Sequence, residues 1–151
     1  MKLAEFLTSK AVQPELVATT KSDVLRELAA LVAAATPAID PERVLSVLQD
    51  RERLGSTGIG EGVAIPHGKL AGLPGMVAAF GVSRSGVDFE ALDGKPTQLF
   101  FVLVAPENCA GLHLKALARV SRMFKQSSFR ERMLGQSDVD AIFQQLVAED
   151  N

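Results

Sequence analysis

The run Gln98–Ala105 reads QLFFVLVA, with seven of its eight positions apolar. A strand with one wet face alternates apolar and polar residues, so a run this continuous fits a strand covered on both faces. Such a strand forces a layered fold, and the rest of the chain must supply the covers. It does so in order. Ser22 and Asp23 open a helix whose apolar positions Leu25, Leu28, Ala29 and Val32 recur at helical spacing, and Pro37 ends it. Asp40-Pro41 pairs an N-cap with proline at the first helical position, and Val44, Val47 and Leu48 form the buried stripe of a second helix ending near Arg51 or Glu52. Residues 1–20 read as irregular to short-stranded. Residues 54–62 hold too many glycines for a helix or a central strand and read as a loop. Val63-Ala64-Ile65 is a short strand that Pro66 keeps extended, with His67 at its end entering a loop. Met76–Val82 is a further strand, Gly86–Phe89 a shorter edge strand and Leu92–Lys95 a turn.

Helices return at 112–125, where Leu117, Val120 and Phe124 share a stripe, and at 129–134. A last helix is capped by Ser137 and Asp138, with Ile142, Leu146 and Val147 facing inward. Two helices, several strands, then more helices predict an α/β fold: one domain over residues 1–151, with a mixed parallel/antiparallel sheet of about five strands flanked by helices on both faces.

Charge narrows the function classes. The net charge is −2 and charged residues make up 23% of the chain, with both signs interspersed. No basic stripe points to nucleic acid. Lys115, Arg119, Arg122, Lys125, Arg130 and Arg132 form a denser basic segment, read as solvated helix faces. One cysteine, Cys109, permits no internal disulfide. Glu5 interrupts any apolar leader, and Leu28–Ala35 falls far short of the ~20 apolar residues that span a bilayer. These features predict a cytoplasmic chain without membrane insertion.

The chemistry concentrates at Arg51–Lys69, RERLGSTGIGEGVAIPHGK, which holds His67 between Pro66 and Gly68 behind a glycine-rich approach. A loop histidine is commonly a satisfied structural group. Here the flanking Pro and Gly fix the backbone and clear space, and the glycines offer amides to an anion. The only other histidine, His113, opens the 112–125 helix, where free amides and the dipole favour anions. That helix follows the 98–105 strand, which places His113 near the strand's carboxyl end, where open α/β sheets bind ligands. GxxxxGK[ST], GxGxxG and GxSxG are all absent. Two histidines 46 residues apart make a poor zinc set, although carboxylates could complete one for a metal-dependent hydrolase.

The segment Glu52–Gly68 resembles the active-site signature of phosphotransferase-system enzyme IIA proteins of the fructose/mannitol type. Glu52, Ile59, Gly60, Val63, Ala64, Ile65, Pro66, His67 and Gly68 fill the signature's places without a mismatch. The likeness extends to the DGKP turn, the apolar strand and the HLKALARVS run from His113. RERLGSTGIG is most similar to the nitrogen-regulatory branch. The loop Asn108–Gly111 departs from the family pattern.

The resemblance implies that residues 1–151 form one EIIA type 2 domain, with His67 as phosphoacceptor, His113 as a second active-site histidine that stabilises and transfers the phosphoryl group, and Arg51 as its charge partner. Ser56-Thr57 also follows the pattern. It implies phosphoryl transfer through a phosphohistidine, with the family's Nε2 attachment and with no cofactor and no metal. The donor would be a histidine phosphocarrier protein. Downstream partners would be a sensor kinase, a potassium transporter or a IIB domain. Two outputs stay open: transfer to a IIB domain for sugar uptake, or a binding module whose phosphorylation state, about −2 in charge, controls other proteins. An apolar patch beside the histidine would meet the phosphocarrier, with Ile59, Val63, Leu70 and Leu73 as candidates.

Overall fold

The computed structural model describes residues 2–37 and 39–150. Among them run β1 (Val12–Gln13), α1 (Lys21–Ala35), α2 (Pro41–Arg53), β2 (Gly58–Gly60), β3 (Val63–Ala64), β4 (His67–Lys69), β5 (Val77–Val87), β6 (Thr97–Ala105), α3 (Ala110–Phe124), α4 (Ser127–Leu134) and α5 (Val139–Glu149), preceded by two short 3-10 turns. The sheet has six strands, in the order β1-β5-β6-β3-β2, with β4 also paired to β6. It is mixed: β5 runs antiparallel to β6, while β3 and β4 run parallel to it.

β6 is the strand the sequence points to, and adjacent phenylalanines show its two covered faces. Phe101 lies against Phe80 and Phe124 of α3, and Phe124 continues to Phe129 of α4. Phe100, one residue earlier and so on the opposite face, meets Phe89 at 5.2 Å between ring centroids, and the α1 ammonium of Lys21 sits over that ring. Leu99 through Ala105 are all buried.

Asp40 caps α2 as expected, its Oδ1 accepting the Glu42 N–H ahead of Pro41, and Asp138 caps α5 through the Ala141 N–H. Other boundaries shift. α1 starts before Ser22, because Thr20 Oγ1 accepts the Asp23 N–H and makes Thr20 the cap. The segments expected as two strands, Met76–Val82 and Gly86–Phe89, join as β5, which passes an irregularity between Val82 and Val87 and re-pairs Val87 with Thr97. The glycine-rich segment is not wholly loop: Gly58–Gly60 is an edge strand antiparallel to β3, made through positive φ at Gly60 and at the Glu61-Gly62 turn. Glycine suits this strand because its register shifts between Gly58 and Gly60 and a Cβ at Gly58 would stand 3.0 Å from Ala91.

Candidate functional site

His67 begins a strand rather than ending one. β4 pairs His67 with Leu103 and Lys69 with Ala105, which sets the imidazole beside the carboxyl end of β6. Side chains alternate along a strand. A Cβ on Gly68 would stand 2.2 Å from Val47 Cγ1, so position 68 faces α2 and His67 faces the other way, toward α3. Gly68 therefore lets α2 pack on the strand; it does not clear space around the ring. Pro66 does have the expected role: its carbonyl accepts the Leu103 N–H, tying the residue before His67 to β6.

The ring is held at one nitrogen by a backbone carbonyl and turns the lone pair of the other toward Arg51. His67 Nδ1 lies 2.8 Å from the Ile65 carbonyl oxygen. A carbonyl only accepts, so Nδ1 carries the proton and Nε2 carries the lone pair. Arg51 Nε, in the last turn of α2, donates to that Nε2 at 3.3 Å, while its Nη1 donates to the Gly55 carbonyl at 2.9 Å. Among the described residues β4 pairs only with β6, and α2 packs against β4 at Gly68, which brings Arg51 of α2 within reach of the ring.

His113 arrives from the first turn of α3. Its ring centroid is 5.7 Å from that of His67, at 73° between planes. It is buried, at 5% exposure, and its Nε2 is buried without a hydrogen-bond partner among the described residues. The departing loop before it still delivers a helix start: Cys109 takes the cap position without a side-chain bond, and its carbonyl accepts the His113 N–H. All three residues picked from the sequence, Arg51, His67 and His113, line one cleft of about 550 Å³ with Asp50, Lys69 and Ala110.

Burial sets the charge state. It lowers the His67 pKa below 6.5; the bond to the Ile65 carbonyl opposes that shift, Arg51 adds to it and Glu52 counters it. His113 is pushed down to about 4, first by burial, then by the charges of His67 and Lys69. Both imidazoles are thus neutral near pH 7, and a neutral imidazole is the nucleophilic form.

Three amides of the glycine-rich loop are engaged within the protein. The Thr57 N–H goes to Glu52 Oε1, the Gly58 N–H to Ser56 Oγ and the Glu61 N–H to Asp93 Oδ2. Among the described residues no three His, Cys, Asp or Glu side chains converge as a metal-ligand group, and no helix is long and apolar enough to cross a membrane.

The apolar rim differs from the one expected. Val63 and Leu70 are core residues, 1% and 5% exposed, because strand pairing and the turn after β4 carry them inward. Leu73 packs partly buried against the core, and Ile59 stays half-exposed beside His67. The exposed apolar side chains at the cleft are Leu54 and Leu114, at 84% and 70%. Leu54 was legible as a leucine in a run of charges just past a helix end. Leu114 was legible as a leucine one step off the buried stripe.

The family model for the phosphoenolpyruvate-dependent sugar phosphotransferase system, EIIA 2, matches residues 5–149. The chain is 38% identical over 143 residues to a nitrogen regulatory protein of Bradyrhizobium diazoefficiens, covering 95% of this chain and 93% of that one. It is 37% identical over 142 residues to the fructose-specific EIIABC component of Bacillus subtilis, covering 94% of this chain but only 22% of that protein. The crystal structure of nitrogen regulatory protein IIA-Ntr from Neisseria meningitidis superimposes with a TM-score of 0.89 at 35% identity, over 95% of this chain and 98% of that one. A match over almost the whole length, in sequence and in fold, places the chain in the EIIA 2 family of the phosphotransferase system.

Proposed function

We propose that the chain is a phosphoryl carrier of nitrogen-related regulation, accepting a phosphoryl group on Nε2 of His67 from a histidine phosphocarrier protein. The observation that carries this is the His67 Nδ1–H bond to the Ile65 carbonyl, which leaves the Nε2 lone pair in the cleft. That lone pair forms the new P–N bond as the donor's P–N bond breaks, and the donor nitrogen departs with its electron pair. The acceptor ring gains positive charge as the bond forms, and the Ile65 carbonyl stabilises it through Nδ1–H. Arg51 must release Nε2 as the phosphorus arrives, and its guanidinium then faces the phosphoryl oxygens, always charged and suited to them. His113, buried and unpaired at Nε2, can donate to the same oxygens. Exchange between two imidazoles is near thermoneutral, so positioning and charge stabilisation suffice. The names of the Bradyrhizobium and Neisseria relatives support the nitrogen assignment.

The test is incubation with enzyme I, a histidine phosphocarrier and phosphoenolpyruvate. The chain should acquire an acid-labile, base-stable phosphate, and His67→Ala should acquire none; labelling of His67→Ala at the wild-type rate would overturn the assignment. A second reading is sugar-specific transfer to a IIB domain, favoured by the 37% identity to the fructose-specific component. Loss of label from the phosphorylated chain to an isolated fructose-type IIB domain would support it. A third output, partner control by charge, separates in a pull-down: His67→Ala and His67→Glu forms should retain different partners.

A further inference from the structure

A chain of charge pairs and hydrogen bonds outside the cleft leads back to His67, and it begins at Lys21. This lysine is the first residue of α1, and Glu52 lies in the last turn of α2. Each sits at the helix end that disfavours its charge: a cation at an N-terminus, an anion at a C-terminus. Helix stability therefore does not account for either. They pair instead, Lys21 Nζ to Glu52 Oε1 at 3.0 Å, with side-chain exposures of 18% and 6%. Lys21 also reaches Glu90 at 3.3 Å and lies 4.7 Å from the centroid of the Phe89 ring.

From Glu52 the bonds run inward. Oε1 accepts the Thr57 N–H at 3.1 Å, and Thr57 Oγ1 donates to Oε2. Thr57 is itself buried, at 4% exposure. Its carbonyl accepts the Ile65 N–H at 3.0 Å, and the Ile65 carbonyl accepts His67 Nδ1–H at 2.8 Å. The chain from Lys21 to the imidazole is continuous, and each bond polarises the next.

We infer that Lys21 is a positioning residue for phosphoryl transfer: through Glu52 and Thr57 it fixes the 55–65 loop so that the Ile65 carbonyl holds His67 in the Nδ1–H tautomer. It touches neither the ring nor the phosphoryl group. Without Lys21, Glu52 becomes a buried carboxylate lacking its cation, and such a group draws in water or moves outward. Thr57 then loses its anchor, and with it goes the alignment of Ile65.

The inference rests on His67 as phosphoacceptor, and its test has one arm that does not. The first arm reads the tautomer of His67 by imidazole nitrogen chemical shifts in the unphosphorylated chain. Wild type should be almost wholly Nδ1–H; Lys21→Met should show a mixture of tautomers, and Lys21→Arg should restore the wild-type pattern. The second arm measures phosphate uptake from the phosphocarrier, where Lys21→Met should slow the rate by about tenfold, the scale of a small misplacement of a reacting group, and Lys21→Arg should recover it. Should Lys21→Met not fold, Glu52→Gln replaces it and should give the same tautomer mixture. An unchanged tautomer in a folded Lys21→Met or Glu52→Gln chain overturns the inference. Uptake absent from the wild type overturns the carrier assignment alone.

Discussion

Arg51 Nε stands 3.3 Å from His67 Nε2 and donates to the lone pair that would attack phosphorus. The same guanidinium is anchored at Gly55, so it can turn without leaving the cleft. Removing one preorganised charge donor from a transfer site typically costs a factor of 10²–10³. Arg51→Met should therefore slow phosphate uptake by about a hundredfold, and Arg51→Lys, which loses the planar fork, should recover only part. Stopped-time labelling at fixed phosphocarrier concentration measures both.

His113→Ala should accept phosphate yet pass it on slowly. Its buried Nε2 has no partner among the described residues, and the two imidazoles are 5.7 Å apart, close enough to share one phosphoryl group. Quenched-flow transfer back to the phosphocarrier reads the effect; equal forward and return rates for the variant and wild type would remove His113 from the mechanism.

The pH profile of uptake follows from the lowered His67 pKa. Only neutral imidazole attacks, so the acid limb of the rate should have its midpoint below 6.5, the value of a free histidine. Phosphorylation adds negative charge beside His113, which favours its protonated form. Its nitrogen chemical shifts should titrate near 4 in the free chain and at clearly higher pH in the phosphorylated one.

The same histidine makes stability depend on pH. His113 titrates near 4 when folded and near 6.5 when unfolded. Between those values the unfolded chain binds the proton and the folded chain does not, so stability falls as pH drops from 6.5 toward 4. Below the folded pKa the contribution is constant. His113→Gln should flatten the Tm-against-pH curve in that window, as measured by thermal melts in low-salt buffers.

Gly68→Ala should destabilise the fold by about 2 kcal/mol, the usual scale of overpacking, because its Cβ would lie 2.2 Å from Val47 Cγ1. Adding Val47→Ala should restore part of that loss in chemical denaturation. Equal stability of Gly68→Ala and wild type would show that α2 is free to shift.

The resemblance carried by Glu52–Gly68 pointed to Arg51, His67 and His113, and the fold brings the three to one cleft. The layered α/β architecture was equally legible, since an apolar run such as Gln98–Ala105 can be satisfied only by covers on both faces. Caps at Asp40 and Asp138 were local and read correctly, because a side chain bonds amides two or three residues away. Strand edges were not: the fusion across Val82–Val87 and the edge strand at Gly58–Gly60 depend on what β6 and β3 offer as partners.

The sequence by itself named the candidates: residue type and position singled out His67 and His113, and the family resemblance added Arg51. The tertiary structure alone decided how they are arranged. It put Gly68 against α2 rather than beside the ring, buried Val63 and Leu70, and exposed Leu54 and Leu114 in their place. It also gave His67 its tautomer, through a carbonyl two residues back, and joined Lys21 to Glu52 across 31 positions of chain. Burial, strand pairing and charge pairing are relations between distant segments, and no local pattern encodes them.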